Sequence, residues 1–333
     1  MGSGGRFMRL VPLLLLAAAA AAAPEPPPYP NLGDGVDAKV QAFFPVRVRA
    51  LDAVTWRWSE GKHAGFAVPG GDGLLFLQAG GGGIRGVDLD TGARRWIVPG
   101  NTRYWNYSSC AGGAGGPAYG GNYDWVQAVD AAGEVLWRTN LSCGWIHAPP
   151  ALAPDGKTLY AAGDGIGIAA LDAATGHVLW MRRDFKSPWN AYVFDDAGRA
   201  IVAHRGHAAC YEPDGGEAWR FDAPLRDPML VGDLLVARHG GAVVAYRLAD
   251  RSVAWSVAPR ADIAGLACTD TGRIVAALAT GELLWIAADG RALRRVRVSD
   301  VGLHRPVTAL GGDTLVVDAN GVLYLVDGGG GAV

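Results

Sequence analysis

The chain has 333 residues, half of them apolar and 19% charged, with a formal net charge of −2. That composition excludes an extended disordered chain, and the near-neutral charge excludes a protein drawn to nucleic acid or an anionic membrane by a long-range field. Its 49 glycines recur at fixed offsets and so mark tight turns, not one flexible linker. In chain order, the first element is a targeting signal. Arg6 and Arg9 precede the apolar run Leu10–Ala23, broken only by Pro12 and followed by the Pro-rich stretch Pro24–Pro30. A basic start, a short apolar run and small residues at its end predict a secretory signal peptide over residues 1–23. The run is short for a bilayer span; the alternative is an uncleaved anchor. No cysteine stands near the expected cut, so a lipid anchor there is not expected. Residues 24–39 read as a Pro/Gly-rich linker. One folded domain is expected over 40–333, with no further stretch of membrane length.

A repeat follows. GVDLDTGARRW ends at Trp96, AVDAAGEVLW at Trp137, ALDAATGHVLW at Trp180, CYEPDGGEAW at Trp219 and AYRLADRSVAW at Trp255, while WIAADGRALR ends at Arg294. The steps between these ends are 41, 43, 39, 36 and 39 residues. Each unit holds alternating apolar stretches around an Asp/Gly turn, which is a hairpin pattern. Two further strands precede each hairpin, as in IHAPPALAPDG and KTLYAAGDG before Trp180. Four antiparallel strands per roughly 40 residues, repeated, predict the blades of an all-β propeller. The last repeat, VTALGGD, TLVVDA and GVLYLVD, has three strands and no fourth, while AVTWRWSEG around Trp56 has fourth-strand character and no repeat of its own. Residues 53–60 are therefore expected to pair with residues 321–327, closing a seven-bladed ring with N- and C-terminal strands; residues 46–53 leave eight blades as the alternative.

The segment Ala170–Trp180 resembles the core of the quinoprotein-type repeat, similar to that of pyrroloquinoline-quinone enzymes, in which Ala-Leu-Asp-X-X-Thr-Gly-X-X-X-Trp recurs. The likeness runs over roughly residues 50–328 and is strongest at 84–96, 125–137 and 166–180. It implies that Trp56, Trp96, Trp137, Trp180, Trp219 and Trp255 dock neighbouring blades. The quinone-dependent dehydrogenases of this family use adjacent cysteines and a calcium site of Glu, Asn and Asp. Here Cys110, Cys143, Cys210 and Cys268 are scattered, and Asp88, Asp90, Asp130, Asp172, Asp289 and Asp327 sit in turns that a carboxylate caps through backbone hydrogen bonds. No catalytic residue, metal or cofactor is expected; the alternative is pyrroloquinoline quinone with calcium. The resemblance points to the non-enzymatic branch, similar to the propeller lipoprotein of outer-membrane assembly.

Candidate site residues are those the repeat does not require. Arg103, Tyr104, Trp105, Trp145, His147, Trp189, Asn190, Arg226, Arg260, His304 and Arg305 all follow a fourth strand. Propeller symmetry places such connections around one mouth of the channel, where aromatic rings and arginines suit recognition. The alternative is that the aromatics plug the channel. The expected function is an exported scaffold, periplasmic or secreted, probed by a protein or peptide partner at this face, monomeric and without nucleic acid. The alternatives are a propeller enzyme, quinone-dependent or acting at the channel mouth, and carbohydrate binding through Trp105, Trp145 and Trp189. Cys110 and Cys143, in the similar contexts NYSSC and NLSC, are expected to bridge, and Cys210 and Cys268 to be separate buried thiols.

Overall fold

The computed structural model describes residues 43–44 and, apart from gaps at 72, 80–82, 101–109, 113–115, 145, 147–148, 164, 184–190, 204–205, 305, 310–311 and 321, residues 64–328. The expected signal, the linker, Trp56 and residues 53–60 lie outside these. Every regular element described is a strand. The chain divides into two compact units, whose described parts are essentially residues 64–230 and residues 43–44 with 231–328.

After β1 (Phe43–Phe44), the first unit holds four antiparallel sheets in simple up-and-down order. They are β2 (Ala64–Gly71), β3 (Leu74–Ala79), β4 (Gly83–Asp88) and β5 (Arg94–Val98); β6 (Cys110–Gly112), β7 (Ala118–Asn122), β8 (Trp125–Val129) and β9 (Val135–Asn140); β10 (Ala151–Leu152), β11 (Thr158–Gly163), β12 (Ile166–Asp172) and β13 (Val178–Arg182); and β14 (Ala191–Phe194), β15 (Ala200–Ala203), β16 (Ala208–Tyr211) and β17 (Glu217–Phe221). The chain passes between units in β18 (Arg226–Val231), which heads a sheet with β19 (Leu234–His239), β20 (Ala242–Arg247) and β21 (Val253–Val257). The second unit continues with β22 (Ile263–Cys268), β23 (Ile274–Leu278), β24 (Glu282–Ile286) and β25 (Ala292–Arg297), then β26 (Val307–Ala309), β27 (Thr314–Val317) and β28 (Leu323–Val326).

The middle strands are buried on both faces, which explains their near-continuous apolar runs. Along β12, Ala169 and Leu171 face an apolar cluster with Tyr119, Val126 and Leu159. Ile168 and Ala170 face a second cluster with Tyr192, Phe194 and Tyr211. One strand thus serves two seams between successive sheets. In the second unit, Val275, Leu283 and Trp285 pack against Val316, Tyr324 and Val326.

The last repeat has three strands, as the sequence predicts. Its fourth partner among the described residues is β1, which runs parallel to β26 with Phe43 opposite Thr308. The N-terminal segment described adds at the β26 edge; the expected pairing of residues 53–60 with β28 falls outside the described residues.

The described cysteines are all buried. Cys143 packs with Leu141, Ile146, Leu159 and Ile166. The expected bridge between Cys143 and Cys110 falls outside the described residues. Cys210 and Cys268 are separate buried thiols, as expected. Burial pushes the Cys210 thiol up to about 12, which removes the reactive thiolate at neutral pH. Native protein treated with iodoacetamide at pH 8 is expected to leave Cys210 unmodified, and urea-unfolded protein to alkylate it fully, as read by peptide mass spectrometry.

Candidate functional site

The repeat tryptophans organise the seams. Trp96 Nε1 donates to Ala131 O at 2.9 Å, Trp137 Nε1 to Ala173 O at 2.9 Å, Trp180 Nε1 to Pro213 O at 2.8 Å and Trp255 Nε1 to Ala288 O at 2.8 Å. Each acceptor lies in the hairpin turn of the following sheet. Two residues further on, or three in the case of Ala173, stands a glycine with positive φ: Gly133, Gly176, Gly215 and Gly290. A Cβ built there would come within 2.4–2.7 Å of the indole. The glycine therefore does two things at once: it adopts the left-handed turn and clears the seat for a ring. On its own sheet each tryptophan opposes a small residue, Gly86, Ala128, Ala170, Cys210 or Ala245, and a register shift follows at once. The bulge twists the outer strand locally at that point.

The turn aspartates are spent within their turns. Asp88 Oδ1 accepts from Thr91 N and Thr91 Oγ1, and Asp172 Oδ1 does the same with Thr175. Asp130 Oδ1 accepts from Ala132 N and Glu134 N. The Arg95 guanidinium and these turn bonds hold the Asp88 carboxyl well below the usual range. Among the described residues no three His, Cys, Asp or Glu side chains gather where they would hold a metal ion.

Of the eleven predicted site residues, Arg226, Arg260 and His304 are described; Arg103, Tyr104, Trp105, Trp145, His147, Trp189, Asn190 and Arg305 lie outside. Arg226 opens β18 with its side chain exposed, beside Asp227 at φ 48°. Arg260 is exposed at φ 58°. His304 is exposed, its backbone N–H held by Val317 O at 2.7 Å. Left-handed backbone at a non-glycine residue is uncommon, and here it marks connections whose shape the local sequence does not choose.

One polar group was not legible as part of any site. Arg138 donates to Gln127 Oε1 through Nε at 3.1 Å and Nη2 at 2.7 Å, and its guanidinium lies 3.9 Å from the centre of the Trp125 ring. Gln127 is fully buried. The two bonds from Arg138 account for an amide held at this buried position, and the Trp125 ring holds the guanidinium beside it.

Repeated four-stranded sheets that dock through a tryptophan on the next hairpin turn define a β-propeller. Residues 122–256 match the family described as the outer membrane protein assembly factor BamB, so over that stretch the chain carries the quinoprotein-type repeat of that family. The crystal structure of BamB from Moraxella catarrhalis is similar at 20% identity and a TM-score of 0.63, over 78% of this chain and 81% of that one. The computationally designed Ika8 protein matches at 14% identity and TM-score 0.67, over 81% and 84% of the two chains. The C-terminal WD40 domain of Sif2 matches at 13% and 0.67, over 80% and 82%. No protein of curated function matches the sequence.

Proposed function

We propose that this protein is an exported scaffold that binds a protein or polypeptide partner through the connections between its sheets, in the periplasm or outside the cell. The observation that carries the reading is the match of residues 122–256 to a family described as an outer-membrane assembly factor. Supporting it are the exposed Arg226, Arg260 and His304 on such connections. A rigid sheet framework with recognition residues on its loops suits binding at low entropic cost. The signal peptide is part of the same proposal: intact protein from the exported fraction should have lost residues 1–23 by mass.

The test is capture from exported extract by tagged wild-type protein and by a variant with Trp105, Trp145 and Trp189 all replaced by alanine. A partner retained by the wild type and lost by a variant that still unfolds cooperatively supports the reading. Equal retention by both moves the working surface elsewhere. Absorbance appearing on addition of calcium and pyrroloquinoline quinone would favour the enzymatic alternative instead.

A further inference from the structure

One sheet breaks the docking rule. In β25 the tryptophan position is Arg294, and its cross-strand partner on β24, small in the other five sheets, is Trp285. The ring has moved from the outer strand to the strand inside it. Arg294 Nη1 still reaches the carbonyl of Asp327, at 3.2 Å and 33 residues on, as an indole N–H does elsewhere. Its guanidinium lies 5.0 Å from the centre of the Trp285 ring. The swap therefore keeps the turn bond and leaves further N–H donors on the outside.

Those donors face a groove. An open depression of about 610 Å³ runs between the connection after β21 and strands β24 and β25. Its apolar lining includes Val257, Leu284 and Leu293, and its charged residues are Arg260, Arg294 and Arg295, with no carboxylate among the lining residues. Arg295 is tied to Glu282 at 2.7 Å and to Pro259 O at 3.1 Å, which fixes the two walls together. Arg260 is exposed and makes no hydrogen bond or ion pair with any described residue. Beside the groove, β25 is the outer strand of its sheet, paired on one side only among the described residues.

We infer that this groove binds an extended, acidic segment of a partner polypeptide. Each part of the site meets a different part of that ligand. Guanidinium groups take carboxylates in planar, two-point hydrogen bonds. The apolar lining takes the alternating side chains between them. The open edge of β25 offers the backbone N–H and C=O groups that a strand can pair with and a nucleic acid or free phosphate cannot. The chain's net charge of −2 gives no wider basic field for a polyanion. The inference rests on the polypeptide-binding proposal and shares Arg260 with it, and its test needs no cellular partner.

The probe is a fluorescein-labelled peptide of alternating glutamate and valine, titrated with the full protein by anisotropy. Binding is expected to weaken steeply with salt, to vanish for the lysine–valine peptide, and to fall at least tenfold when alternate amides of the acidic peptide are N-methylated. Arg260→Glu is expected to cut affinity at least tenfold. Arg294→Gln keeps a donor for the Asp327 carbonyl and adds no second ring beside Trp285, so it should still unfold cooperatively while also cutting affinity at least tenfold. No binding of the acidic peptide, equal binding by both variants, or tighter binding of single-stranded DNA would overturn the inference. Full retention of affinity by the N-methylated peptide would overturn strand pairing.

Discussion

Replacing Trp137 with alanine is expected to destabilise the sheets it joins by about 4 kcal/mol, near the top of the range for a buried aromatic. Trp137 is buried, lies 6.0 Å from Tyr119 ring to ring, and gives its N–H to Ala173 of the next sheet. The alanine variant loses ring area on both sides of one seam and leaves that carbonyl without its donor. The partner substitution, Gly176→Ala, attacks the same contact from the other side. Gly176 stands at φ +72°, and its new methyl would lie 2.4 Å from Trp137 Cε3. Backbone strain and overlap together are expected to cost more than about 2 kcal/mol. The double variant should be clearly less destabilised than the sum, because the alanine at position 137 removes the ring that the new methyl strikes. Urea unfolding of the four proteins checks this. Additive losses would show that Gly176 serves its turn alone.

Much of this seam was legible in advance. The period of the tryptophans, the Asp/Gly turns and the alternating strands each follow from local chemistry, so the repeat and its docking residues could be read at Trp96, Trp137, Trp180 and Trp255. The seat was not legible. A glycine in a turn announces left-handed backbone, and nothing in the sequence says that a ring from the preceding repeat needs the space. The exchange of Trp285 and Arg294 was visible as a lapse in the period, but its consequence appears only when the two are found opposite each other across one hairpin. The parallel strand Phe43–Phe44 is two residues long and too short to carry a pattern. The burial of Cys143 was not legible for a related reason: NLSC describes its neighbours along the chain, whereas burial is set by the seam that Cys143 faces. Of the candidate site, Arg260 was found as a residue the repeat does not need, while the groove beside it depends on Leu284 and Leu293, which read as ordinary strand residues.

Asp318→Ala is expected to cost about 3 kcal/mol at pH 7, the consequence of stranding several buried donors at once. Asp318 is 2% exposed. Its Oδ1 accepts from Asn320 N at 2.9 Å and Val322 N at 3.0 Å, and its Oδ2 from Ser299 Oγ at 2.7 Å and Tyr324 OH at 3.0 Å. Four donors thus converge on one carboxylate and tie the end of β25's sheet to the β27–β28 hairpin. Burial by itself raises the Asp318 carboxyl, but the bonds from Ser299, Val322, Tyr324 and Asn320 outweigh it and the group is held below its ordinary value. The sign of the pH dependence follows. A carboxyl lowered on folding contributes its stability above the unfolded value of about 3.9 and loses it as pH falls through the lower, folded value. Asp318→Asn keeps an oxygen for the two backbone N–H groups, and the hydroxyls of Ser299 and Tyr324 can turn to accept from its amide. The asparagine variant should therefore lose less than the alanine variant at pH 7. It should also lack this residue's share of the acid limb, so that the gap between it and the wild type narrows from pH 6 down to pH 2. Denaturant midpoints at pH 6, 4 and 2 measure the gap. A gap that stays constant over that range would mean that Asp318 titrates alike in the folded and the unfolded chain, and a gap that widens as pH falls would mean that its four partners bind a neutral acid.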